Sequence, residues 1–172
     1  MGRGYRADHT LLLIRHAKSD WSAAAPDLDR PLNHRGLRQG REVGSWIAAN
    51  LQRIDRAVVS PAQRARSTWD LVAAELDDPP PITIDDRAYT FDGQELLPIV
   101  RGFDEGASIV ALVGHNPAME EFVSLLTDAW VGMPTSCLAV IGIDGPWSGA
   151  GPGGTLLAHG RPPTEALGEA AD

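Results

Sequence analysis

The sequence predicts an α/β fold, a three-layer α/β/α sandwich with helices on both faces of a mostly parallel central sheet. Three observations predict it. Short apolar runs recur at Thr10–Ile14, Arg56–Val59 and Ser108–Val113, the pattern of strands covered on both faces. Helical-period segments follow them, so strands and helices alternate along the chain. A length of 172 residues suits one domain with a single core. The domain is expected to span residues 1–172, with residues 1–8 and 160–172 as poorly ordered ends.

The polar, Gly/Arg-rich start precedes the first strand, Thr10–Ile14. Ser22 to Asp29 is small and polar, hence a loop. Asn33 is placed to cap a helix running to about Leu51, with Val43, Trp46, Ile47 and Leu51 at helical spacing. After the strand Arg56–Val59, Ser60-Pro61 reads as an N-cap with proline at the first helical position. That helix carries Ala65, Trp69, Val72, Ala73 and Leu76 on one face, and Asp77 to Pro81 stops it. Ile82–Ile84 is a candidate strand and Gln94–Phe103 a candidate short helix. Asn116-Pro117 repeats the cap-plus-proline device before a helix that turns Met119, Phe122, Val123 and Leu126 inward. Ser136–Ile143 reads as a strand, Gly149–Gly154 as a turn and Thr155–Ala158 as an edge strand.

Composition narrows the function. A formal charge of −8 argues against nucleic acid or an anionic membrane as partner, so any anion must be held where a few cations gather locally. The lone cysteine, Cys137, lies in an apolar run and is expected to be a buried strand residue, which fits a reducing compartment. No apolar run is long enough to span a bilayer and no signal peptide is visible at the start, so a cytoplasmic protein is expected.

Chemistry gathers at three strand ends, where ligands of open α/β sheets bind. The first delivers Arg15-His16, the second Ser60-Pro61 and Arg64, and the third Gly114-His115-Asn116-Pro117. Two helix N-termini add their positive dipole ends. Two guanidiniums and two imidazoles at one point suit a dianionic phosphoryl group. His9 and His159, beside the ends, are expected at the surface, and His34, in a polar helix start, away from substrate. Trp21 is expected to be exposed beside the site, where it packs against substrate or anchors the loop.

The run Leu11-Leu12-Leu13-Ile14-Arg15-His16-Ala17 resembles the Arg-His-Gly signature of the histidine phosphatase superfamily, with alanine for glycine. Asp29-Arg30-Pro31-Leu32, Gly36 and Gln39, Ser60-Pro61 with Arg64 and Thr68, and Gly114-His115-Asn116-Pro117 match in order. The stretch Arg15 to Trp21 is most similar to the short SixA-type phosphohistidine phosphatase branch. The resemblance implies a phosphoglycerate mutase-like fold and a metal-independent hydrolase without cofactor. It implies that His16 is the phosphorylated nucleophile, that Arg15 and Arg64 hold the phosphate, and that His115 donates to it. Ser22 falls where many members carry an asparagine that contacts phosphate.

Phosphomonoester hydrolysis needs a general acid. Mutase-like members place a glutamate in the segment that here reads Ile84 to Thr90, and no clean match is present; Asp85 or Asp86 is the candidate acid. A missing acid and a short chain between Thr68 and Gly114 favour phosphohistidine or another phosphoprotein as substrate. The alternatives are a phosphatase of small phosphorylated metabolites or nucleotides, and a phosphate-binding module without turnover. Oligomeric state is not legible in the sequence. His16 and His115 as metal ligands are disfavoured by the two arginines beside them.

Overall fold

The computed structural model describes residues 6–162. Six strands form one sheet in the order β3-β2-β4-β1-β5-β6, where β1 is His9–Arg15, β2 Arg56–Val59, β3 Ile82–Ile84, β4 Ile109–Gly114, β5 Leu138–Ile143 and β6 Thr155–Gly160. The pairings among β3, β2, β4 and β1 are parallel, whereas β5 pairs antiparallel with both β1 and β6. Three parallel pairings against two make the sheet mixed, with its parallel half carrying the catalytic candidates. Leu11, Leu12, Leu13 and Ile14 are all fully buried, because β1 is a central strand covered on both faces.

Alternation along each strand separates two cores. Leu11, Leu13, Leu112 and Ile141 face α3 (Leu97–Arg101) and α4 (Ala118–Thr127). Leu12, Ile14, Val113 and Val140 face α1 (His34–Asn50) and α2 (Gln63–Ala74). This is the expected α/β/α sandwich. On α4, Met119, Phe122, Val123 and Leu126 are buried, as their spacing predicts. The helix ends at Asp128, which takes the left-handed conformation with φ 61°. Between α1 and α2 the approach is close: a Cβ on Gly44 would lie 2.9 Å from Val72 Cα.

Asn33 caps α1 as expected, its side chain accepting the Gly36 N–H at 2.9 Å. The other two caps are corrected. α2 starts at Gln63 rather than at Pro61, and its N-cap position, Ala62, has no side-chain cap. α4 starts at Ala118 with Pro117 at the N-cap position, and the Asn116–Pro117 peptide is cis. The Ser60 hydroxyl instead meets His115 Nε2 while accepting the Ala62 N–H, and the Asn116 amide donates to Glu120 on α4 and to the Met133 carbonyl. The expected helix Gln94–Phe103 is a 3₁₀ turn, Gly93–Leu96, running into the short α3.

His9 is also corrected. Its side chain is only 11% exposed, its Nδ1 lies 2.8 Å from the Gly145 carbonyl, and its ring packs 4.6 Å from that of Trp147. His159 is half-buried on β6, with Nε2 2.7 Å from the Gly132 carbonyl. His34 is exposed at the start of α1, on a broad groove of roughly 780 Å³ running along that helix. Cys137 is buried directly before β5, and burial pushes its thiol up to about 11, so it is not a reactive thiolate. Among the described residues no helix is long and apolar enough to cross a membrane. Residues 1–5 and 163–172, within the expected ends, lie outside the described residues.

Candidate active site

Parallel pairing sets the ends of β1, β4 and β2 side by side: Arg15 lies beside Gly114, and Val113 beside Val59. The chain leaves all three strands at one edge, carrying His16, His115 and Ser60. Backbone bonds hold these exits in register, from His16 N–H to the Gly114 carbonyl at 3.1 Å and from Ser60 N–H to the Val113 carbonyl at 3.1 Å. A cleft of roughly 230 Å³ opens there, and Arg15, His16, Arg30, Arg64, His115 and Asn116 are among its lining residues. The four residues expected from the three strand ends therefore meet in one place.

His16 is held by both ring nitrogens. Nδ1 lies 2.8 Å from the Ala17 carbonyl, an acceptor only, so this nitrogen carries the proton. Nε2 is then the bare nitrogen, and it accepts from Arg64 Nε at 3.3 Å. The ring is only 6% exposed. Burial first, and the nearby Arg64, Arg15 and Arg30 charges after it, push its pKa down to about 3. Near neutral pH His16 thus presents an unprotonated lone pair, the state a nucleophile requires.

His115 stands next to it, with ring centroids 5.2 Å apart. Burial, then the neighbouring His16 and Arg64, push its pKa down to about 3 as well. Its Nε2 lies 2.7 Å from Ser60 Oγ, and its Nδ1 is buried without a partner. Among the described residues, four buried side-chain polar atoms lack partners: Arg15 Nε, His115 Nδ1, Asn116 Oδ1 and Ser136 Oγ. Three belong to lining residues and the fourth adjoins Thr135, which also lines the cleft. Unpaired buried polar atoms are rare because each forfeits its hydrogen bonds to water, and their concentration here marks a place prepared for a polar ligand.

The remaining family-like positions act as scaffolding. Thr68 Oγ1 donates to the Arg64 carbonyl at 2.6 Å and accepts the Ala17 N–H at 2.9 Å, tying α2 to the loop after β1. Gln39 is buried and accepts the Lys18 N–H at 3.4 Å. Gly36 lets α1 meet that loop, since a Cβ there would sit 2.1 Å from the Lys18 carbonyl oxygen.

Sequence reasoning missed Asp27. Its carboxylate accepts from Arg64 at 3.1 Å, from Arg30 at 2.5 Å and from the Tyr89 hydroxyl, and its carbonyl accepts from Arg64 at 2.6 Å. The Tyr89 hydrogen bond first, then the two arginines, hold this carboxyl well below the usual range, so it is ionised and cannot serve as an acid. Nothing in the polar loop containing Asp27 singled it out. Arg30 was legible only as part of the Asp29 to Leu32 match; it is buried, with its guanidinium carbon 3.7 Å from the centre of the Trp21 ring. Trp21, at 73% exposure, and the exposed Phe91 line the mouth.

The two candidate acids and Ser22 lie elsewhere. Asp85 pairs with Arg87 at 2.7 Å and lines a separate hollow with Arg56 and Val58. Asp86 is exposed on the 3₁₀ turn Asp86–Ala88 and is not among the residues lining the cleft. Ser22 is exposed, and its hydroxyl donates to Asp20 at 2.6 Å rather than lining the cleft. Among the described residues no group of three or more His, Cys, Asp or Glu is placed to hold a metal ion.

The family model described as histidine phosphatase superfamily (branch 1) matches residues 11–89. An uncharacterized protein of Mycobacterium tuberculosis is 32% identical over 155 residues, covering 84% of this chain and 96% of that protein. Among solved structures, a candidate phosphohistidine phosphatase SixA from Nakamurella multipartitia superposes with a TM-score of 0.80 at 26% identity, over 94% of this chain and 99% of that one. A second SixA candidate, from Agrobacterium tumefaciens, has a TM-score of 0.72 at 30% identity, over 78% of this chain and 91% of that one.

Proposed function

This chain belongs to the histidine phosphatase superfamily, in its short SixA-type branch, and from that membership we propose that it is a metal-independent phosphatase that forms a phosphohistidine on His16 and releases phosphate from phosphohistidine or another phosphorylated protein residue. One observation carries the reading. Nδ1 of His16 is tied to the Ala17 carbonyl, and this leaves Nε2 bare, buried and in the reach of Arg64.

Nε2 attacks phosphorus, the bond to the leaving group breaks, and that group departs with the electron pair. Arg15, Arg64 and the partnerless Nδ1 of His115 stabilise the equatorial oxygens, the principal contribution in phosphoryl transfer. Water then attacks the phosphoimidazole, the P–N bond breaks, and inorganic phosphate leaves. Retention of the Nδ1 proton throughout makes the imidazole a good leaving group in this second step.

The acid–base inventory supports the substrate class. Asp27 is ionised within its arginine and tyrosine contacts, and Asp85 and Asp86 do not line the cleft. An alkoxide, which departs poorly without an acid, is disfavoured. A phosphohistidine imidazole departs readily once its second nitrogen is protonated, which an ordinary pKa near 6.5 permits. The exposed Trp21 and Phe91 at the mouth suit approach of a protein surface.

Rapid-quench labelling of wild type and His16→Ala tests this, with a phosphohistidine carrier protein and a panel of phosphorylated metabolites as donors. Acid-labile phosphate on His16, absent from the variant and formed in the presence of a strong chelator, is the expected result. No label from any donor would refute the mechanism. An efficiency favouring metabolites by more than about a hundredfold would refute the substrate class.

A further inference from the structure

Ser60 reads from sequence as a helix cap, yet α2 begins at Gln63 and the Ser60 hydroxyl is turned to His115 instead. Both side chains are shut off from solvent, Ser60 at 0% and His115 at 1% exposure. A neutral imidazole carries a single N–H, so only one nitrogen of His115 can donate. Whether Nδ1 offers a proton or a lone pair therefore depends on what Ser60 does at Nε2.

The hydrogen-bond inventory decides between the two arrangements. Ser60 Oγ accepts the Ala62 N–H at 3.3 Å and lies 2.7 Å from His115 Nε2. If Nε2–H donated to Oγ, the hydroxyl proton of the fully buried Ser60 would have no acceptor among the described residues, an arrangement that native interiors avoid. Nδ1 would then turn a lone pair toward arriving phosphate oxygens, which repel it. If the hydroxyl donates to Nε2, its oxygen accepts from Ala62 and its proton is used. The one unsatisfied group is then an Nδ1–H, which a phosphate oxygen completes.

We propose that Ser60 is a positioning residue that locks His115 in the Nδ1–H tautomer, so that the only proton on the ring is offered to the phosphoryl group. The inference rests on the reading of His115 as a phosphate donor given above. An outer partner that selects an imidazole tautomer is a recurring device at metal-bound and triad histidines; here a hydroxyl does it by donating rather than accepting.

Long-range proton–nitrogen NMR of the histidine rings tests it in wild type, Ser60→Ala and Ser60→Thr, with and without inorganic phosphate, beside single-turnover labelling of His16. In wild type, His115 is expected to be protonated on Nδ1 and bare on Nε2. In Ser60→Ala the Nε2–H form should appear, phosphate binding should weaken, and labelling should slow on the order of 10–100-fold. Ser60→Thr, which keeps the hydroxyl, should restore the tautomer and most of the rate. A wild type that turns over with its proton on Nε2 refutes the inference and leaves the phosphatase reading standing. Unchanged tautomer and rate in Ser60→Ala also refute it. A wild type with the Nδ1–H tautomer but no label on His16 refutes the phosphatase reading instead.

Discussion

Acidification from pH 7 to pH 5 acts on the two imidazoles that the fold keeps neutral. His16 and His115 are 6% and 1% exposed, and burial pushes both pKa values down to about 3. In the unfolded chain each returns to about 6.5. At pH 5 the unfolded state therefore binds nearly one more proton per histidine than the native state, so stability rises with pH across this window and falls on acidification. The slope approaches about 1.4 kcal/mol per pH unit per group below the unfolded value. Over about 1.5 units this comes to about 2 kcal/mol for each histidine, or about 4 for the pair, against a typical total of about 5–15. Asp27 contributes little here. Its depressed pKa stabilises the fold above the unfolded value of about 3.9, and that contribution is lost only as pH falls below it. Urea unfolding followed by tryptophan fluorescence at pH 7, 6 and 5 measures the effect in wild type, His16→Gln and His115→Gln. Each variant should lose about half of the histidine-linked pH dependence. Equal pH dependence in all three proteins would refute the claim that these rings are kept neutral at the expense of stability.

The same two rings predict that kcat/KM shows no acid limb from His16 near its ordinary pKa; such a limb in a pH–rate profile with a non-titrating substrate would contradict the proposal that a His16 held at about 3 is the nucleophile. Arg64→Ala removes the donor on His16 Nε2 and should lower the rate of phosphoenzyme formation by on the order of 10²–10³ in single-turnover assays. Asp27→Asn removes the negative charge that sits on Arg64 and Arg30, so inorganic phosphate should inhibit at roughly tenfold lower concentration, read from competitive inhibition constants. Gly36→Ala forces a methyl to within 2.1 Å of the Lys18 carbonyl, and its denaturation midpoint should show a loss of about 1–3 kcal/mol or more, with weaker activity from a displaced loop after β1.

Strand and helix assignments were largely legible because they depend on local period. Val58 and Val59, or Met119 and Phe122, declare their buried faces by spacing alone. The Arg15-His16, Arg64 and His115 set was legible too. Each sits directly after a readable strand or in the first turn of the helix beyond it, and parallel pairing aligns those ends. Ser60 and Asn116 were misread as caps because cap preference is a local tendency. Ser60 bonds across 55 residues to His115, and Asn116 across 17 residues to Met133. A hydroxyl or amide goes to whichever partner the packing brings within reach, and a fully buried partner outweighs a local cap that water could replace.

By itself, then, the sequence determined the α/β alternation, the buried faces and the identity of the four cationic or imidazole groups at the strand ends. Tertiary structure alone decided which carboxylate enters the site, which nitrogen of His16 is left unprotonated and which nitrogen of His115 is left without a partner. Asp27 reaches Arg64 across 37 residues and Tyr89 across 62, while Asp85 is held by Arg87. The physical reason is that periodicity sorts side chains by burial from neighbours a few residues away, whereas protonation and hydrogen-bond choice depend on distances between loops, and those exist only once the sheet has brought the loops together.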